Sequence, residues 1–67
     1  MIPLPGLRAQ RLRAMLTQQE LADLARVHRL TVVRLENGTS TAVQSTVRQL
    51  ASALHCDVQD LTTSAAV

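Results

Sequence analysis

The chain has no aromatic residue and no lysine. Without Phe, Tyr or Trp there is no ring on which an unpaired base can stack, which excludes most single-strand nucleic-acid binders. The core must instead be built from Leu, Val, Ala, Ile and Met. Cysteine occurs once, at Cys56, so no intrachain disulfide forms, and a cysteine-based zinc site lacks its ligands. A lone cysteine fits a reducing cytoplasm, and we expect a buried, unreactive thiol. Both prolines and one of the two glycines fall within Met1–Gly6, so little interrupts a helix beyond that point. No run approaches the roughly 20 apolar residues of a membrane span. Met1–Gly6 also has neither the basic start nor the apolar stretch of a signal peptide. There is no repeat, linker or low-complexity block.

What is present suits one small globular domain: 67 residues, 46% of them hydrophobic. A chain this short is marginally stable unless its helices pack well or it oligomerises. The charge is uneven. Residues 1–34 carry six Arg (Arg8, Arg11, Arg13, Arg26, Arg29, Arg34) against Glu20 and Asp23, or +4. Residues 35–67 carry Arg48 against Glu36, Asp57 and Asp60, or −2. Arg is better suited than Lys to bidentate contacts with phosphate and guanine.

Residues 1–6 read as an extended lead-in, 7–62 as the folded domain and 63–67 as a tail. A first helix is expected from Leu7 to about Ala14. Thr17-Gln18-Gln19-Glu20 is a capping box that opens a second helix with Leu21, Leu24 and Ala25 at helical spacing. Arg26-Val27-His28 reads as a tight turn. A third helix runs from about Arg29 to Glu36, with Val32 and Leu35 on one face, and Asn37-Gly38 ends it. Thr39-Ser40-Thr41 is a polar loop, and Thr41 to Gln44 reads as a second capping box. The fourth helix carries the stripe Val47, Leu50, Ala51, Leu54. Asp57 caps a short fifth helix with Val58 and Leu61 inward. A strand over 30–33 fits on propensity but is too short to stand alone. The fold class is all-α, a compact five-helix domain.

Two short helices joined by about three residues, the second carrying Arg29 and Arg34, have the form of a helix-turn-helix. One helix fits the major groove, and the helix before it braces it against the DNA backbone. Arg29 and Arg34 are separated by about 140° around the helix axis, so they share a broad face with Leu30 and Val33.

Thr17-Gln18-Gln19-Glu20-Leu21-Ala22, then Val27, Val32, Leu35-Glu36-Asn37-Gly38, Thr46-Val47 and Leu50-Ala51-Ser52-Ala53-Leu54 resemble the lambda-repressor-like, XRE-type helix-turn-helix domains. The resemblance spans about Leu7 to Leu61. It implies a domain that binds double-stranded DNA, as a homodimer at least on a two-fold site. Carried onto this chain, it places His28, Arg29, Leu30, Val33 and Arg34 against base edges. Gln18, at the start of the second helix, and Asn37, Gly38, Thr39, Ser40 and Thr41 fall against the DNA backbone. Arg11 and Glu36 match an internal salt bridge of several relatives. A dimer contact is expected near Val58, Leu61 and Ala65.

The chain departs from the family pattern at several places. Met15, Arg26 and His55 stand where glycine is frequent, so a left-handed backbone there would cost about 1 kcal/mol each. Ala42 replaces a frequent proline. Leu12 and Leu24 stand where charge is frequent, and are candidates for an exposed protein-docking patch. No basic cluster follows Gly38, so a modest affinity with shallow salt dependence is expected.

The expected function is therefore sequence-specific binding of double-stranded DNA by a small prokaryotic or phage transcription regulator in the cytoplasm. The competing reading is a protein-interaction module on the same fold, antitoxin-like or a repressor antagonist. An enzyme is not expected: there is no serine–histidine–acid set, paired-carboxylate site or phosphate loop. No cofactor and no metal are expected.

Overall fold

A computed structural model describes residues 1–63. Five helices follow one another: α1 (Leu7–Arg13), α2 (Gln18–Ala25), α3 (Arg29–Asn37), α4 (Gln44–Leu54) and α5 (Val58–Thr62). Among the described residues there is no strand, and extended backbone pairs once, antiparallel, between Ile2 and Ala42. Ala65 lies outside the described residues.

The capping box of α2 forms as its sequence requires. The Glu20 N–H donates to Thr17 Oγ1 at 3.0 Å, and the Thr17 N–H donates to the Glu20 carboxylate at 2.9 Å. The second capping box does not form. Val43 precedes the first turn of α4, and no side chain caps that helix. The reason is tertiary: Ala42 exchanges two backbone hydrogen bonds with Ile2, both 2.8 Å, which holds this stretch extended and delays the helix to Gln44. At α5, the Asp57 N–H donates to the Asp60 carboxylate at 3.1 Å.

α2 packs on α3 and α4, while α1 packs on α5 and α3. The stripe on α4 is buried in full: Val47, Leu50, Ala51 and Leu54 all lie in the core, with Leu7, Leu21, Val32 and Leu35 from the other helices. Leu4 joins them at 2% exposure, so the lead-in is extended but packed into the domain. α5 buries one of its two apolar residues. Leu61 is fully buried, whereas Val58, at its first position, is 39% exposed. This corrects two expectations: Val58 does not point inward, and Leu61 has no surface to offer a second copy.

Met15, Arg26 and His55 all adopt the left-handed conformation, with φ of 58°, 58° and 53°. Arg26 and His55 close α2 and α4 there. Met15→Gly tests the strain at the site with least to lose, because Met15 is 89% exposed. Relief of about 1 kcal/mol is expected. That raises the melting temperature by about 4–8 °C for a domain of this size. An unchanged or lower melting temperature in a calorimetric scan would count against strain at this turn.

Candidate nucleic-acid interface

The turn between α2 and α3 occupies three residues. Arg26 reverses the chain in its left-handed conformation, and the Val27 N–H donates to Ala22 O at 3.0 Å with its side chain half-buried. His28 is the residue before α3. It is exposed, and its imidazole makes no capping bond.

α3 is two-faced. Val32 and Leu35 are buried against α2 and the core. At about 100° per residue, Arg29, Val33, Leu30 and Arg34 cover an arc about 140° wide on the opposite side. Arg29 and Arg34 are exposed, Leu30 is 54% exposed and Val33 is half-buried. Among the described residues neither arginine makes an ion pair; the one that forms is Arg11–Glu36. Two guanidinium groups thus stand in solvent with their donors free.

That ion pair sits behind the exposed face. Arg11 donates from Nε and Nη2 to the Glu36 carboxylate, the second bond at 3.0 Å, and from Nη1 to Leu16 O at 2.8 Å. Gln18 Nε2 adds a 3.3 Å bond to Glu36 Oε1. Arg11 is 8% exposed. Its hydrogen bond to Glu36 outweighs desolvation and pushes its pKa up, so the cation persists at any practical pH. The cluster joins α1, the turn after it, the start of α2 and the end of α3. It fixes how α3 projects from the bundle.

The loop after α3 begins at Gly38, whose φ of 75° ends the helix. The Thr39 N–H and Oγ1 both donate to Arg34 O, at 3.0 and 3.2 Å. Ser40 Oγ donates to Thr41 O at 3.4 Å. The amides of Ser40 and Thr41 make no hydrogen bond among the described residues, and neither do those of Gln18 and Gln19 at the start of α2. Open amides of this kind donate to phosphate oxygens. The first amides of α4, at Gln44 and Ser45, are open as well. Sequence reasoning missed these because it began that helix too early.

Elsewhere, Leu12 and Leu24 are 54% and 59% exposed, on different helices. Cys56 is half-buried rather than buried. Burial first, then Asp60 and Asp57, raises its thiol pKa, which disfavours the reactive thiolate. No cluster of three or more His, Cys, Asp or Glu side chains suited to a metal exists among the described residues.

Comparison with known proteins adds to this geometry. A helix-turn-helix family profile matches residues 7–61. The chain belongs to the XRE-type helix-turn-helix family. It is thus a DNA-binding transcription regulator, and α2 and α3 are its helix-turn-helix. Among solved structures, this regulator is similar to the restriction-modification controller protein C.AhdI from Aeromonas hydrophila. The two are 30% identical, the match covers 84% of this chain and 85% of that one, and the TM-score is 0.80. No curated protein matches the chain. No helix among the described residues is long and apolar enough to cross a membrane.

Proposed function

We propose that this regulator reads a specific double-stranded operator by laying α3 in the major groove. The observation that carries the reading is the outer face of α3: two unpaired, exposed arginines on a helix whose pose is held by a buried ion pair. Arg29 and Arg34 each offer a fork to guanine O6 and N7, a contact worth about 1–3 kcal/mol of discrimination. Leu30 and Val33 supply apolar contact to thymine methyls, and His28 borders the same edge. Phosphates are taken by the open amides of Gln18 and Gln19 and by the loop Asn37–Thr41. The Gln18 side chain is engaged with Glu36, so its amide is the group offered. These loop contacts are neutral, so the salt dependence is shallow.

The regulator acts as a homodimer on DNA. Its extents of 28 × 24 × 19 Å let two copies sit side by side on half-sites about 34 Å apart. Val58 remains a candidate for the contact between them. The likeness to a controller protein favours a small prokaryotic or phage regulator of gene expression, working in the cytoplasm and without catalysis. Exposure of Leu12 and Leu24 supports a second reading, docking of a protein partner, which is compatible with the first.

The test begins with selection of an operator from a random duplex pool. Arg29→Ala with Arg34→Ala is then expected to lower the ratio of operator to random-duplex affinity by roughly a hundredfold or more. A competition shift assay measures that ratio. Preference retained by the double variant refutes the assignment.

A further inference from the structure

We infer that residues 2–6 form a strap that positions the phosphate-facing loop, with Ile2 as the positioning residue. The inference rests on the DNA-binding reading above.

The loop from Thr39 to Val43 contains no helix. Its start is held by the two bonds of Thr39 to Arg34 O. Its end is held at Ala42, which is 4% exposed and whose backbone, among the described residues, pairs with Ile2 alone: the Ala42 N–H donates to Ile2 O and the Ile2 N–H donates to Ala42 O, both at 2.8 Å. Ser40 and Thr41, with their open amides, lie between the two anchors. The placement of those amides therefore depends on where Ile2 is held.

Ile2 is held firmly. It packs against the core, and Leu4 is buried two residues later. Pro3 and Pro5 fix two of the intervening backbone dihedrals. At the far end the Gly6 N–H donates to Leu61 O at 2.9 Å. A Cβ on Gly6 would lie 2.2 Å from Asp60 O and 2.5 Å from Thr63 O, so the lead-in is clamped against α5. A short, stiff segment thus refers the loop to the α5 end of the core. Ala42 can take part in both directions because it has an N–H, which a proline there would lack. Holding the loop in its binding shape lowers the entropy lost on meeting a phosphate. Phosphate contacts carry no sequence information, so the strap governs affinity and not preference.

Ile2→Pro removes one of the two bonds and is the decisive variant, with Ile2→Val as the conservative control. Affinities for the selected operator and for a random duplex are measured, together with amide exchange in the free protein. In Ile2→Pro the Ala42 amide is expected to exchange about tenfold faster, with protection at Val32, Leu35, Val47 and Leu50 unchanged. Both affinities should fall by a common factor of about three to ten, leaving their ratio unaltered. Ile2→Val should match the wild type. If Ile2→Pro loses core protection, Ile2→Gly replaces it, since glycine keeps both bonds but loosens the strap, and the same common fall is expected. Unchanged affinities despite faster exchange at Ala42 overturn the inference, and so does a fall confined to the operator. A wild-type protein that binds no duplex refutes the DNA reading itself, and the strap with it.

Discussion

Glu36→Ala is expected to bring the domain close to its unfolding midpoint at 25 °C. The substitution leaves the Arg11 guanidinium buried with Leu16 O as its remaining partner. Removing one partner of a buried pair costs about 3–5 kcal/mol. The lower figure applies here because 10% of the Arg11 side chain still meets water. Domains of this size have only about 3–5 kcal/mol in total. The melting temperature should therefore drop by at least about 12 °C, measured by circular dichroism. The cause is the stranded charge more than the lost attraction. Arg11→Met combined with Glu36→Leu should recover most of the loss, because no buried charge then remains unpaired. A Glu36→Ala protein that melts within a degree or two of the wild type would mark the pair as an ordinary surface contact.

Gly6→Ala should also be strongly damaging, for a different reason. The φ of Gly6 is −92°, which any residue adopts, so the backbone itself tolerates alanine. The obstacle is space. The new methyl group would meet two backbone carbonyl oxygens, at 2.2 and 2.5 Å, and neither can swing aside as a side chain can. Either α1 or α5 must shift, which breaks the bond from Gly6 to Leu61 O and opens the packing around fully buried Leu61. Overpacking costs about 1–3 kcal/mol and sometimes more. The lost hydrogen bond adds about 1 kcal/mol. A melting temperature at least about 10 °C lower is expected, or no cooperative transition at all. A variant that melts like the wild type would show that α5 is loosely held.

The legible parts of this fold are those where one short stretch carries its own instruction. Thr17 and Glu20 need only each other to start α2. The four apolar positions of α4 define its buried side by spacing alone. The turn before α3 and the outward pair Arg29 and Arg34 were readable for the same reason. The Arg11–Glu36 bridge was expected only through resemblance, since 25 residues separate its partners and no local pattern links them. Left-handed backbone at Met15, Arg26 and His55 was likewise a conditional expectation that became definite in three dimensions.

Local signals failed where a distant segment competed with them. Thr41 and Gln44 had the residues of a cap, but Ile2 claimed Ala42 first and the helix began later. Val58 and Leu61 had helical spacing, but a helix of five residues buried only one of them.

By itself the amino-acid order determined the five helices, the buried sides of α3 and α4 and the charge exposed on α3, because periodicity, capping and turn chemistry act within a few residues. Which amides remain open to a phosphate, and which residue anchors the loop presenting them, was decided by tertiary structure. Those outcomes depend on pairing across 40 positions between Ile2 and Ala42, and chain folding alone brings such groups within hydrogen-bonding distance.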